Sequence, residues 1–583
     1  MTFRRTPLAA AAVAVMFAIV PSRAASRGGS TPVDVRDLRE WLTYIASDEL
    51  QGRAVFSTGV GLAESYVADH LRQWGVKPAG DHGSYLQTVR VVGVKATSHT
   101  SVTVEVDGER RTFKDGEGVR FPRNVGAKQQ RKIDRVEFVG YGLDVPAVKL
   151  DDYHGKDVNG AAVIWLGAAG PATMDQSRVR LLNNRNRYAT EEKGAAAVIG
   201  AGPAPRAGRG AGRASQPGDA GPGEAGQAGG AGRAGQGSAP DFTTTERLDH
   251  LLAPTASAND DFFEFLFSRA PRKYAELKRL VDAKEPLPSF HLDGVTLTFD
   301  IDNDYEPVRT QLAQNVVGLV EGADPQLKST YVAFGAHIDH IGYADGELTK
   351  TPEGGTRRAG APGVVTPGAE DDRIWNGADD DGSGVVTLMA MAKAFALGPR
   401  PKRSALFVWH TGEERGRWGS LYFVDHPTLA LDRIVAQLNV DMVGRNRNDK
   451  TSEANSIYVV GSDRISTELD AILRAANAAL PAPLKLEYEL NDPSDPESVY
   501  TRSDHYSYAS RGIPIVFFTD GLHADYHANT DDVSKIEFEK MARIGDLVYG
   551  TAWRVANLEH APIRDRKGPR MSSNSAGVPS TPR

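Results

Sequence analysis

The chain has 583 residues, a formal net charge of −7 at pH 7 and no cysteine. More than one folded unit is expected at this length, because single cores rarely grow beyond about 250–300 residues. The mild negative charge argues against a nucleic-acid partner, and the lack of cysteine excludes disulfides, a thiol nucleophile and Cys-based zinc modules.

The N-terminus has the layout of a secretory signal peptide at residues 1–24. Arg4 and Arg5 precede an apolar run from Leu8 to Val20, and Ser22-Arg23-Ala24 is a small-x-small cleavage site. The run is too short to span a bilayer comfortably, so we expect no membrane anchor after cleavage. A buried N-terminal helix is the alternative. An exported chain without disulfides suits a bacterial periplasm or the medium, so we expect a secreted or periplasmic protein.

Two amphipathic helices are predicted in residues 30–125, which we assign to the N-terminal part of the main domain. The first lies after Asp37, a possible N-cap, and the second covers 61–76 and ends at Gly75. Residues 85–121 then alternate polar and apolar side chains, which predicts β-strands.

A second, β-rich unit is predicted at residues 126–290. Glycine-bounded apolar runs in it, at 137–146, 157–170 and 192–202, predict short strands, and a helix is predicted at 259–283. The stretch 202–240 is rich in Gly, Ala, Arg and Pro, which favours a flexible, solvated loop; polyanion binding by its arginines is the alternative. The Ser/Pro/Arg-rich tail, 561–583, should be disordered.

The segment 291–560 alternates short apolar strands with helical patterns. This alternation predicts a three-layer α/β/α domain around a mixed, largely parallel sheet. Ligands of such sheets bind beyond the carboxyl ends of the strands. Acidic and histidine residues of this chain occur there, in the segments GAHIDHIG (335–342), NGADDDGSG (376–384), VWHTGEERGRWGS (408–420), QLNVDMVGR (437–445) and DYHANTDD (525–532).

These segments offer two histidines and three carboxylates, the ligand inventory of a two-metal site. Carboxylates with imidazole and no thiolate suit Zn²⁺, with Mn²⁺ or Co²⁺ as further options. Of the adjacent Glu413 and Glu414, one can bind metal while the other remains free as a general base. One aspartate of the triplet 379–381 can bridge two ions with its two oxygens. The combination indicates a hydrolase.

Each motif also has a purely structural explanation. His337 and Asp339 could be a surface pair at a strand end. The aspartates 379–381 could serve the N-terminus of the next helix, which Ser383 is expected to cap. The two glutamates could form an acidic turn paired with nearby arginines. The joint occurrence of the motifs, each after a predicted strand, favours the metal site. Further histidines are interpreted as supporting or structural residues: His340, His410, His505 and His523.

The motifs resemble those of family M28 metallopeptidases, the co-catalytic zinc aminopeptidases. The HxD, DD-x-G-S-G, GEE, N-x-D-M and YH-x-x-T-D patterns all occur, and the resemblance covers roughly residues 35–555. The similar subgroup carries an inserted protease-associated (PA) domain, which the 126–290 unit resembles. The phrase ASDELQGRAVFSTG (46–59) is similar to this subgroup as well, and we expect it to pack with the peptidase domain. The long Gly/Pro-rich stretch 343–373 departs from the family pattern.

The resemblance implies two Zn²⁺ ions per chain. His337 and Asp441 would bind one ion. Glu414 and His527 would bind the other, and Asp380 would bridge the two.

The resemblance also implies roles in catalysis. Glu413 would be the general acid/base, and Asp339 would support the metal ligands. Tyr526 would stabilise the oxyanion. A cis peptide between Asp380 and Asp381 is implied as well.

The activity implied by the resemblance is release of N-terminal residues from peptide substrates. Three alternatives stay open. A glutaminyl-cyclase-like acyltransferase with one zinc would need the residues of the second site diverted. A carboxypeptidase or dipeptidase would keep the metals and change the pocket. A non-catalytic protein that binds partners through the PA-like domain would have a broken ligand set.

Overall fold

The computed structural model of the chain describes residues 32–202, 239–351 and 355–566. The predicted signal peptide lies outside the described residues, as do nearly all of the predicted loop and most of the predicted tail. Among the helices of the described residues, we find none with both the length and the apolar character needed to cross a membrane.

The largest sheet of the described residues has ten strands and is parallel at its centre. Its four central strands, in spatial order, are Ser404–His410, Tyr331–His337, Ile434–Val440 and Ile515–Thr519. Asn303–Val320 and Ser456–Val460 flank them in antiparallel pairing. The outer strands are Lys77–Pro78, Leu86–Ser98, Phe242–Thr244 and Lys485–Glu487. The predicted mixed sheet is confirmed, with most of its parallel pairs at the centre.

Helices cover both faces of this sheet, which confirms the three-layer architecture. Side chains along the central strands alternate between two cores: Val332, Phe334 and Ala336 enter the larger core, and Ala333 enters the other. The helices over the larger core are Val35–Ile45, Thr58–Gln73, Gly384–Leu397, Thr467–Ala478 and Phe538–Asn557. Those over the opposite face are Trp418–Asp425 and His505–Ala509.

Side-chain caps set the starts of the first two helices. Asp34 caps Val35–Ile45, because its carboxylate accepts the N–H of Arg36 at 2.9 Å. The predicted cap, Asp37, was wrong by one turn and lies in the first turn of the helix. Ser57 caps Thr58–Gln73 in the same way.

A second hydrophobic core occupies the inserted part of the chain. A six-stranded sheet contains the three predicted runs as Val136–Val139, Ala162–Trp165 and Ala197–Ala201. The core extends beyond the expected limits of 126 and 290, because Ser101–Val106 pairs with Val295–Ile301 in a four-stranded sheet. The other strands of the two sheets are Glu109–Lys114, Val119–Arg120, Gln129–Ile133, Thr255–Ala258 and Ser289–His291.

The predicted helix at 259–283 is two helices, Asp260–Leu266 and Tyr274–Asp282. Pro271 lies between them, and its missing N–H and fixed φ interrupt helical hydrogen bonding. Two short helices, Val179–Asn183 and Arg185–Arg187, complete the α-helices of the described residues.

The Gly/Pro-rich stretch 343–373 packs against the segment that carries His527. Its described residues take part in two ribbons, Gly342–Tyr343 with Ile374–Trp375 and Leu348–Lys350 with Thr356–Arg358. The N–H of Val364 donates to the carbonyl oxygen of His527 at 2.7 Å. The stretch therefore supports one wall of the site described below.

Candidate metal centre and cleft

The predicted site residues lie together at the carboxyl edge of the central strands. His337 ends one strand, and Asp441 directly follows Ile434–Val440. Glu413 and Glu414 follow Ser404–His410 across Gly412, whose φ of +70° turns the chain sharply. Because parallel strands end at the same edge, residues far apart in sequence meet here.

One cluster contains His337, Asp380 and Asp441. His337 Nε2 lies 3.1 Å from Asp380 Oδ1 and 3.7 Å from Asp441 Oδ1. All three side chains are buried, and their donor atoms lie close enough to surround one ion.

A second cluster contains Asp380, Glu414 and His527. His527 Nε2 lies 3.1 Å from Asp380 Oδ2 and 3.1 Å from Glu414 Oε2. Asp380 therefore directs one carboxylate oxygen to each histidine. The peptide between Asp380 and Asp381 is cis, as the resemblance implied.

The contacts in both clusters have the spacing of donors around a shared ion. Two donors of a tetrahedral zinc, each about 2.0–2.1 Å from the metal, lie roughly 3.3 Å apart. Asp380 Oδ2 and Glu414 Oε1 are buried, and neither makes a hydrogen bond of good geometry, although imidazole nitrogens of His527 and His340 lie 3.1 Å and 2.8 Å away. Buried carboxylate oxygens without partners are costly, and a cation would satisfy both. The donor set thus fits the two ions that the sequence predicts.

The clusters also shift the pKa values of their members in opposite directions. Burial alone would raise the pKa of Asp380, but His337 and His527 hold it well below its usual range. Burial opposes ionisation of His527, yet the carboxylate of Glu414 raises its pKa well above the usual range. Asp380 and His527 are therefore held in their charged forms by their neighbours, whereas burial raises the pKa of Asp441.

His337 is oriented through the main chain of Asp339. Its Nδ1 lies 3.0 Å from the carbonyl oxygen of Asp339, which leaves Nε2 free to face Asp380. The carboxylate of Asp339 instead accepts the backbone N–H of Glu413 at 3.1 Å. Burial raises the pKa of Asp339 to about 7.

The other two aspartates of the triplet hold main-chain groups. Asp381 accepts the N–H of His337 and that of Gly384, each at 2.9 Å. Asp379 accepts the N–H of Gly444 at 2.6 Å. Ser383 was predicted as the helix cap, but its hydroxyl donates to the carbonyl oxygen of Asp379 instead. Asp381 does the capping, because its carboxylate is the group that reaches the free N–H of Gly384.

Glu413 and Tyr526 line the cleft beside the clusters. Burial raises the pKa of Glu413 well above its usual range. The hydroxyl of Tyr526 accepts a hydrogen bond from Nη2 of Arg502 at 2.9 Å, and its ring stacks on that of His527. Ser503 donates to Asp441 Oδ2 at 2.6 Å.

Three residues that contact the site were not predicted from the sequence as site residues. Arg502 and Ser503 precede a helix in a segment with no metal motif, so no sequence signal distinguished them. His340, interpreted as a supporting residue, places Nδ1 2.8 Å from Glu414 Oε1. Its ring is buried, and His340, Asp380 and Glu414 form a further group of donors that could hold an ion.

The other predicted structural histidines have partners outside the two clusters. His523 Nε2 lies 3.1 Å from Asp379 Oδ2. His410 Nε2 lies 3.0 Å from the hydroxyl of Tyr508, and His505 Nε2 lies 2.8 Å from the carbonyl oxygen of Tyr500.

A cleft of about 180 Å³ opens from the clusters. The predicted ligands His337, Asp380, Asp441 and His527 form its polar end. Apolar side chains form the adjoining wall: Met442, Leu490, Val499, Phe517 and Leu522.

The inserted unit reaches the residues around this cleft. Arg180 Nε lies 3.3 Å from Oε2 of Glu497, a cleft residue that also binds Arg502. Nearby, Arg187 donates to the hydroxyl of Tyr506 at 2.8 Å. The insertion is therefore in contact with the walls of the cleft.

Comparison with known proteins gives matches to aminopeptidases over part of the chain. The chain is 27% identical over 270 residues to a probable leucine aminopeptidase of Trichophyton verrucosum, covering 42% of this chain and 64% of that protein. It is 28% identical over 198 residues to the aminopeptidase YwaD of Bacillus subtilis, covering 33% and 40%. The chain thus spans less than two thirds of the length of these curated relatives.

A solved aminopeptidase from Aneurinibacillus sp. strain AM-1 aligns with 92% of this chain and 97% of its own, at 16% identity and a TM-score of 0.41. Residues 315–552 match the model of peptidase family M28. All eight predicted site residues fall within that match. The segment that holds the two clusters is therefore similar to peptidase family M28.

Proposed function

We propose that the protein is an exported di-zinc aminopeptidase that releases N-terminal residues, preferably large apolar ones, from peptides. The observation that carries the proposal is the position of Asp380, whose two oxygens face His337 on one side and His527 on the other. Asp441 and Glu414 complete the two clusters. Export rests on the N-terminal sequence pattern alone.

The five ligands would hold two Zn²⁺ ions, which supply Lewis acidity to the scissile carbonyl and lower the pKa of the attacking water. Glu413 is the proton carrier: its carboxylate takes a proton from that water and returns it to the leaving amine. Its position supports this role, because Glu413 lines the cleft while its neighbour Glu414 contacts His527 and His340.

Tyr526 would donate a hydrogen bond to the oxyanion of the tetrahedral intermediate. Its hydroxyl oxygen already accepts from Arg502, so the remaining O–H points elsewhere and is free for the substrate. A preorganised donor of this kind stabilises charge that develops in the transition state. Asp339 holds the backbone of Glu413 and the ring of His337 in place.

The apolar wall of the cleft supports the proposed substrate class. Met442, Leu490, Val499 and Phe517 adjoin the clusters, so an apolar side chain next to the scissile bond would be buried there. The carboxylates at the polar end favour a protonated α-amine. Relatives with the name leucine aminopeptidase are consistent with this preference.

The rival functions receive less support. A mono-zinc cyclase would need only one of the two clusters around Asp380, and a binding protein has no need of five converging ligands. A carboxypeptidase would need a cation placed to bind a terminal carboxylate. Two arginines line the cleft: Arg502 is engaged by Tyr526 and Glu497, and Arg447 is paired with Glu489.

The test uses the purified full chain, stripped of metal and reconstituted with Zn²⁺. We expect two zinc ions per chain and hydrolysis of leucine p-nitroanilide, with no hydrolysis of the N-acetylated compound and slower hydrolysis of the aspartate analogue. Cleavage of the N-acetylated substrate would refute the aminopeptidase assignment. Stepwise removal of residues from the carboxyl end of a peptide would refute it as well. A stoichiometry of one zinc with cyclisation of N-terminal glutamine would favour the cyclase.

A further inference from the structure

Arg53 is a buried arginine in the segment 46–59, which the proposed mechanism does not use. Its side chain has no solvent exposure, and burial lowers its pKa to about 10, so it stays protonated at neutral pH. A buried cation is costly unless its donors are satisfied. The fold therefore has a specific arrangement around this guanidinium.

The guanidinium donates to main-chain carbonyl groups of three separate segments. Nε donates to Ile338 at 3.1 Å, in the loop between His337 and Asp339. Nη1 donates to Asn376 at 2.7 Å and Nη2 to Gly377 at 2.9 Å, just before the aspartate triplet. Nη1 also donates to Ile45, at the end of the first helix, at 2.6 Å.

Main-chain contacts strengthen the same connection. The N–H of His340 donates to the carbonyl oxygen of Arg53 at 3.1 Å, and Ala54 forms an isolated β-bridge with His340. The side-chain amide of Asn376 donates to the carbonyl oxygen of Ala46 at 3.0 Å and to Asp48 Oδ1 at 2.9 Å. The N-terminal segment thus joins the loop of His337 to the loop of Asp380.

We propose that Arg53 is a positioning residue of the metal centre, which fixes the loop of His337 relative to the loop of Asp380. These two residues are the pair whose spacing defines the first ion site, since His337 Nε2 and Asp380 Oδ1 lie 3.1 Å apart. A planar guanidinium can reach carbonyl groups in several directions at once, whereas a lysine ammonium donates from one point. The inference rests on the proposed metal site and adds a residue to its support.

The test compares Arg53→Lys with Arg403→Lys in the full chain. Arg403 is a matched control, because it is also buried and donates to the carbonyl groups of Val555 and Leu558. It lies before Ser404–His410, at the opposite end of the strand from the clusters. Zinc affinity is measured by competition with a chromogenic chelator, and thermal midpoints are measured on the metal-free proteins.

We expect Arg53→Lys to weaken zinc binding by about 10- to 100-fold, the usual effect of losing a residue that orients metal ligands. Arg403→Lys should lower the thermal midpoint and leave zinc affinity within about twofold of wild type. Equal zinc affinity in Arg53→Lys and wild type would overturn the inference, whatever the change in thermal midpoint.

A second variant tests the positioning role if Arg53→Lys does not fold. Asn376→Ala removes the side-chain hydrogen bonds to Ala46 and Asp48, which also join the N-terminal segment to the loop of Asp380, and should weaken zinc binding. A folded Asn376→Ala protein with wild-type zinc affinity would overturn the inference. If the wild-type chain itself takes up no zinc, the proposed function fails and the inference fails with it, which distinguishes that result from failure of the inference alone.

Discussion

Replacement of Glu413 and Glu414 by glutamine, one at a time, separates the proposed proton carrier from the proposed metal ligand. Glutamine keeps the size of the side chain and removes its charge. The backbone N–H of residue 413 would still donate to Asp339, so the local fold is retained in the first variant. Glu414 is different, because its two oxygens lie 3.1 Å from His527 and 2.8 Å from His340.

The expected magnitudes follow from these contacts. Glu413→Gln removes a general base, which contributes about 10²- to 10⁴-fold to turnover. At 1.36 kcal/mol for each factor of ten, this raises the activation barrier by about 2.7–5.4 kcal/mol. Glu414→Gln removes an anionic donor from the second cluster, so the protein should bind one zinc ion tightly and the other weakly.

The assay is kcat for leucine p-nitroanilide at saturating substrate, together with zinc content after exhaustive dialysis. Glu413→Gln should keep two zinc ions and lose turnover. Glu414→Gln should lose one ion. The assignment of the two glutamates is refuted if Glu413→Gln loses zinc, or if it keeps more than about a tenth of wild-type kcat, because a missing base cannot be that mild.

Three further changes test other parts of the site. Asp380→Asn should lower the affinity for both ions, since each oxygen faces a different histidine; loss of only one ion in a dialysis experiment would contradict a bridging role. Tyr526→Phe should lower kcat by about 10²- to 10³-fold with KM nearly unchanged, as for the loss of one oxyanion donor, and an effect on KM alone would argue for ground-state binding. Burial raises the pKa of Glu64 from 4.5 to about 8 in the folded protein. The protonated side chain therefore favours the folded state, fully below pH 4.5, and this contribution to the free energy of unfolding is lost as the pH rises through about 8. Thermal midpoints of the metal-free proteins are measured between pH 5 and pH 8.5, and the midpoint of Glu64→Gln should rise progressively relative to that of the wild type. Midpoints that change in parallel with pH would show that the pKa of Glu64 is not raised by burial.

The order of strands and metal motifs can be predicted from the sequence because both depend on short local patterns. Apolar runs of five to seven residues predict buried strands, and in a parallel sheet the residues after them must meet at one edge. The same reasoning predicts that His337, Asp441 and the glutamate pair lie at one edge, as the structure shows. The strand Tyr331–His337 and the helix Gly384–Leu397 appear at the predicted positions, within a residue or two at their ends.

Other features were not predicted because two or more local solutions compete. Asp34 and Asp37 are both acceptable caps, and the choice depends on where the preceding chain packs. Pro271 argues locally against one continuous helix at 259–283. The apolar periodicity on both sides of it favours a continuous helix, so the break was not predicted.

The hydrogen bonds that shape the site are the least predictable part, since they join residues far apart in sequence. Arg53 contacts the carbonyl group of Ile338 across 285 positions. Arg502 contacts Tyr526 across 24 positions, from a segment without metal motifs. A polar side chain with several free donors shows no periodicity that identifies its partners.

The charges of the site explain why so many polar groups are devoted to positioning. The five predicted ligands bring three carboxylates together, and the carboxylates of Asp339, Asp379 and Asp381 lie buried behind them. These three carboxylates accept main-chain N–H groups: those of Glu413, Gly444, His337 and Gly384. Each such bond fixes a ligand loop and partly offsets a buried charge. Two divalent cations would offset the remaining negative charge, so the same arrangement that orders the loops also favours metal uptake.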